Sequence, residues 1–236
     1  MRPLPLLALA ALTLPGLARA EVTSPADAGK RASFDILSAQ VTRSDGTLTF
    51  RMATSGAAGA DTPAPVGTLA GAPVHAYVWP TSLDPAAVGF EPGTGILALA
   101  ATSHPDFDDT PLYDENGDGD PANDGLAWHS HWVVLTPSED CGPGALSVRD
   151  IPEGTTPRLP KTWPGLPLFI DSPEAKPVFD GPVVSLTLEV EGAEGASYDG
   201  VTSALRVNAN LHAPLLCVTD VFDVASGDLS LPGRID

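Results

Sequence analysis

The sequence predicts an all-β protein, a single antiparallel β-sandwich with long Pro-, Gly- and Asp-rich loops. Three observations lead there. Val, Thr and Leu occur in short runs that alternate with polar residues at a period of two, the period of a half-buried strand. The 23 glycines and 25 prolines separate these runs with turn chemistry. No segment carries sustained apolar spacing at three and four residues with a cap at each end, so helices are not expected.

The chain opens with an export signal. Met1-Arg2 gives a positive start, Leu4 to Leu14 is apolar apart from Pro5 and Thr13, and Ala18-Arg19-Ala20 is a small-x-small cleavage site. The apolar run is too short to span a bilayer. Residues 1–20 are therefore expected to be removed, and 21–236 to form one domain in the periplasm or outside the cell. Arg2 and Arg19 are the only charges lost, which leaves 10 basic and 30 acidic side chains where the whole chain carries a net charge of −18. Such a surface repels nucleic acid and anionic lipid and attracts cations. Neither nucleic acid nor membrane insertion is expected, and nothing in the sequence names a protein partner.

The first strands form a hairpin. Leu37, Ala39 and Val41 alternate with polar residues, Ser44-Asp45-Gly46 turns the chain, and Leu48, Phe50 and Met52 answer on the way back. Residues 55–72 read as a loop. Val74, Ala76 and Val78 face one way, and His75, Tyr77 and Trp79 the other. Ile96 to Ala101 is a continuous apolar run, expected to be a strand buried on both faces. Residues 126–135 form a strand that carries histidines. Residues 152–182, with eight prolines, read as an irregular excursion. Val184, Leu186, Leu188 and Val190 mark a half-buried strand, and Leu205, Val207, Ala209 and Leu211 repeat its pattern. Cys141 and Cys217, an even count in an exported chain, are expected to form a disulfide worth roughly 4–5 kcal/mol on the chain-entropy view. The hairpin from Phe34 to Met52 resembles the start of extracellular DOMON-type and carbohydrate-binding β-sandwiches. That resemblance implies the fold and brings no functional residue with it.

Two motifs carry chemistry. Asp114-Glu115-Asn116-Gly117-Asp118-Gly119-Asp120 matches D-x-[DN]-x-[DN]-G and resembles the first half of an EF-hand or dockerin-type calcium loop. The resemblance implies calcium held by Asp114, Asn116, Asp118 and Asp120. It departs at the twelfth position, Gly125, where an EF-hand places a bidentate Glu; Asp124 is expected to close the shell instead. Asp106, Asp108 and Asp109 are near enough in sequence to reach the same ion.

The second motif is Trp128-His129-Ser130-His131-Trp132. Residues two apart on a strand share a face, so His129 and His131 point together, as in half of a copper or zinc site. His75 and His104 are the expected further ligands, and His212 could also contribute. His-x-His-Trp is similar to the first zinc-ligand strand of α-type carbonic anhydrases, but their second histidine motif does not follow. Cupins place a Glu three or four residues beyond the second His, where this chain has none before Glu139. Nucleophile elbows, phosphate loops and His-Glu-x-x-His are absent. Ser130 faces away from the histidines and is no nucleophile, so no catalytic residue is assigned.

The sequence thus predicts an exported, non-catalytic metal-binding protein with a calcium loop and a His-based copper or zinc site. Two alternatives stay open: a periplasmic metalloenzyme with His-bound zinc or copper, and a calcium-stabilised carbohydrate-binding or adhesion module that uses Trp79, Trp128, Trp132 and Trp163. An enzyme requires a cleft with a carboxylate near the metal, a carrier an exposed site, and an adhesion module an aromatic strip.

Overall fold

The expected hairpin forms, and its turn shows why. Strand β2 (Ile36–Ser44) and strand β3 (Thr47–Thr54) are joined by Asp45 and Gly46. Both turn residues have positive φ, 50° and 84°, the twist that matches two antiparallel strands. The computed structural model describes residues 21–210 and 214–236. The expected export signal over 1–20 and His212 lie outside the described residues.

The remaining strands are β1 (Val22–Thr23), β4 (Pro73–Pro80), β5 (Ile96–Ser103), β6 (His129–Pro137), β7 (Leu146–Val148), β8 (Ile170–Asp171), β9 (Val178–Asp180), β10 (Val183–Glu189), β11 (Ser197–Tyr198), β12 (Val201–Val207), β13 (Leu216–Val224) and β14 (Gly233–Arg234). Helical structure among the described residues is limited to 3-10 turns at Pro85–Val88 and Glu139–Cys141. The late strand starts earlier than its alternation predicts, at Val201, and ends at Val207. Residues 152–182 are irregular apart from β8 and β9.

The fold is all-β and antiparallel, but the expectation of a simple sandwich needs correction. One sheet is open, in the order β1-β2-β3-β10-β9. The other runs β5-β4-β12-β13-β7-β6-β8, and β5 also pairs with β6, which closes six of its strands into a barrel. Two register shifts between β12 and β13, at Thr202/Ser203 and Ala204/Leu205, bend that wall. A β11–β14 pair completes the set.

There are accordingly two cores. Ile36, Leu48, Phe50 and Met52 of the open sheet, with Phe34 just before β2, pack on the outer face of the barrel against Tyr77, Trp79, Leu99, Trp132 and Val134. Val74, Ala76, Val78, Ala98, Ala100 and Val133 point inward and form the second core. Strand β4 serves both, which is why its alternation is between two apolar faces. Cys141 and Cys217 are joined in a disulfide that ties the turn after β6 to β13.

Candidate metal centre

Adjacent strands bring the histidines together. In the β5–β6 pair, Thr102 lies opposite His129 and Ala100 opposite His131. His129 and His131 share a face, as predicted, and His131 projects into the barrel with Val133 and Leu135. Ser130 points the other way and donates its hydroxyl to Ala175 O at 2.6 Å. His104 follows β5 directly, so the long loop between β5 and β6 leaves the sheet at one ligand and returns at another.

That loop is stitched at its base. His104 N–H donates to Gly125 O at 2.6 Å and Ser103 Oγ donates to Leu126 O at 2.8 Å. Gly125 lies flat on the loop's other limb: a Cβ there would sit 2.3 Å from Phe107 O and 2.4 Å from His104 O. This gives a physical reason for glycine at the position where an EF-hand carries Glu. Asp124 closes the loop through its own carboxylate, which accepts from Glu115 N at 2.8 Å and Asn116 N at 3.2 Å. Its N–H donates to Asp108 Oδ2 at 3.0 Å.

The folded loop delivers Asp109 to the histidines. His104, Asp109, His129 and His131 are all buried, and each offers one ligand atom within 4.8 Å of the others. His104 Nε2 is 2.9 Å from His129 Nε2. Asp109 Oδ1 is 2.9 Å from His104 Nε2, 3.5 Å from His129 Nε2 and 3.6 Å from His131 Nε2. The outer nitrogens are held elsewhere. His104 Nδ1 is 3.1 Å from Phe107 O, and His129 Nδ1 is 2.7 Å from Ala127 O. His131 Nδ1 is 3.2 Å from Ser172 Oγ.

A carbonyl oxygen only accepts, so Nδ1 of His104 and of His129 carries the proton and Nε2 presents a lone pair. Two such lone pairs 2.9 Å apart, beside a carboxylate oxygen, repel one another unless a cation sits among them. Imidazoles whose far N–H groups donate to backbone carbonyls are the usual support of metal ligands. Asp109 Oδ1 and His131 Nε2 have no hydrogen-bond partner despite their burial, a costly condition that an ion relieves. The set of three imidazoles and one carboxylate therefore fits a transition metal.

The electrostatics agree. Burial pushes the His131 imidazole down to about 3, more than Asp109 can restore, so it is neutral and ready to ligate. Burial alone would raise the Asp109 carboxyl, but the facing His131 and His104 outweigh it and hold the group well below the usual carboxylate range. Burial alone would lower His104, and the Asp109 charge outweighs it and raises the ring. Without metal, a proton on His104 is thus the natural substitute for the ion.

The other predicted ligands lie apart from this group. His75 is on the opposite face of β4, with Nδ1 3.0 Å from Asp61 O and its ring edge on Phe34 and Phe222. Asp109, expected with the acidic loop's ion, is instead inside the histidine cluster. The pairing of 96–101 with 126–135 as neighbouring strands would have exposed the proximity of His104 to His129; no sequence motif points to Asp109.

The acidic loop curls around Asp114, whose Oδ1 accepts from Gly117 N at 2.6 Å and Asp118 N at 3.1 Å and whose Oδ2 accepts from Gly119 N at 2.8 Å. Asn116 Oδ1 accepts from Asp118 N at 2.8 Å, Asp118 Oδ1 from Asp120 N at 2.8 Å, and Asp120 Oδ1 from Ala122 N at 3.1 Å. These bonds account for the bend without an ion. Comparison with protein-family models, with curated proteins and with solved structures finds no match.

Proposed function

We propose that this chain is an exported metal-binding protein that holds one zinc or copper ion through His104, Asp109, His129 and His131. The observation that carries this reading is the 2.9 Å approach of two imidazole lone pairs whose protons are committed to carbonyls. The carboxylate makes the set harder than imidazole alone and favours zinc over cuprous copper. On the D-x-[DN]-x-[DN]-G match, Asp114, Asn116, Asp118, Asp120 and Asp124 are proposed as a second, calcium site, which would add to the backbone N–H bonds that already bend the loop. The transition-metal ligands are nearly inaccessible, with side-chain exposures of 1–6%. That suits retention of the ion and not rapid hand-over. Elemental analysis of protein purified without a His tag tests the reading: about one zinc or copper per chain is expected, and a metal content near zero after growth in metal-replete medium refutes it.

A metalloenzyme is the second reading, and one group favours it. Glu115 Oε2 is buried without a partner, in a pocket it shares with His129. Burial pushes this carboxyl up to about 7, the range of a general base. Glu115→Gln separates the two readings: it should abolish any hydrolytic turnover and leave metal content unchanged. The adhesion alternative lacks its aromatic strip, because Trp79 and Trp132 are buried in the core. Trp128 and Trp163 donate to Gly59 O and Leu168 O.

A further inference from the structure

The inside of the barrel is incompletely filled. A cavity of about 110 Å³ lies within it. Protein interiors are otherwise packed to the density of organic crystals. Its wall is apolar apart from Thr102, Ser203 and three members of the metal centre, His104, Asp109 and His131. Three of these residues have buried polar atoms with no hydrogen-bond partner: Thr102 Oγ1, Asp109 Oδ1 and His131 Nε2. A metal ion satisfies the last two. It leaves the Thr102 hydroxyl, on the residue paired with His129 and lining the same cavity as the ligands, without a partner in an otherwise apolar chamber.

Charge and volume define what would complete this arrangement. A divalent ion with three neutral imidazoles and one carboxylate leaves one uncompensated positive charge in a buried site, which is costly. A monoanion removes it. A carboxylate can place one oxygen on the ion and accept from Thr102 with the other. The space beyond is dry and apolar, and smaller than the roughly 150 Å³ cavity that accepts benzene, so the rest of the molecule is an alkyl tail of about three or four carbons. Val221 lines the cavity while 51% exposed, so the wall opens to solvent on that side.

We propose that the barrel binds a short-chain monocarboxylate, with its head on the metal and Thr102 and its tail against Val74, Ala76, Ala100 and Val133. This rests on the metal reading given above. The two separate in one experiment on the full exported chain loaded with cobalt(II), whose visible spectrum reports ligand changes. Acetate, butyrate and octanoate are titrated in turn. Each buried methylene is worth about fourfold in affinity, so butyrate should bind roughly 15-fold more tightly than acetate, and octanoate should gain nothing further. Ala100→Leu, which fills the chamber, should take up cobalt normally and lose the butyrate response. Thr102→Val, which keeps the shape and removes the hydroxyl, should weaken butyrate about tenfold and leave the cobalt affinity unchanged. A cobalt spectrum that ignores butyrate, or equal affinities for acetate and butyrate, overturns the carboxylate site alone. Failure to take up cobalt at all overturns it together with the metal reading. Should Ala100→Leu fail to fold, Thr102→Val and the chain-length series still decide.

Discussion

Replacing both strand histidines, His129→Ala with His131→Ala, should erase the stabilisation that a bound ion confers. An ion that binds only the folded chain stabilises it by RT ln(1 + [L]/Kd), about 4 kcal/mol at a free concentration a thousand times Kd. In a domain of this size each kcal/mol moves Tm by roughly 2–4 °C. Zinc added to chelator-treated parent should therefore raise Tm by roughly 8–16 °C, and the double variant should show no rise. The size of the loss follows from the geometry. The pair supplies two of the four convergent ligands, and the remaining two, His104 and Asp109, leave the ion half of its shell. Calorimetric titration reads the affinity and differential scanning calorimetry the stability. Asp109→Asn is the milder partner: it keeps shape and removes the anion, and should weaken zinc by at least tenfold. Equal zinc and copper affinities in parent and double variant would refute the reasoning and make the histidines structural. The chain would then read as a calcium-stabilised binding module.

Acid should act on both affinity and fold. Zinc affinity should fall as pH drops through the raised His104 value, because the ion must displace that proton; an affinity flat from pH 8 to 5 contradicts this. In metal-free protein, His131 titrates near 3 when folded and near 6.5 when unfolded, so its contribution is present above 6.5 and lost as pH falls towards 3. The raised His104 and Glu115 contributions grow over the same interval and oppose this loss, so the His131 loss, about 2 kcal/mol between neutral pH and pH 5, should be read as the difference between denaturant melts of the parent and of His131→Gln. Gly125→Ala places a methyl on Phe107 O and His104 O and should cost 1–3 kcal/mol and weaken zinc, read by the same titration. Calcium at millimolar concentration should raise Tm, and Asp114→Ala with Asp118→Ala should remove most of that rise; identical melts in chelator and calcium count against the loop.

The strand content of the fold was legible because alternation reports a face. Val74, Ala76 and Val78 were separated correctly from His75, Tyr77 and Trp79, and the Asp45-Gly46 turn fixed the first hairpin. Barrel closure was not legible. It depends on the additional pairing of β5 with β6, and both strands are buried on both faces, so their composition is the same in a sandwich interior as in a barrel wall. The small inward residues Ala76, Ala98 and Ala100 permit close curvature, but alanine also occurs wherever sheets pack tightly.

The site divides along the same line. His129 and His131 were readable as a pair because a strand's two-residue period is rigid, whereas the third and fourth ligands depend on where a long loop returns. Local spacing does not choose between His75, inside β4, and His104, which follows β5. The register decides it: Ser103 pairs with His75 and Thr102 with His129, so one histidine follows the strand into the barrel mouth and the other faces the outer core. Asp109, which its place in sequence puts within reach of the acidic loop's ion, stands with the histidines for the same reason. Counting carboxylates near Asp114 groups it with the acidic loop. The bonds of Asp124 and Gly125 back to Asp108 and His104 turn the segment over and carry Asp109 inward. The acidic loop and the histidine strand are therefore one construction, in which the loop's closure sets the fourth ligand, and damage to the closure at Gly125 should reach the site through His104, on which Gly125 packs.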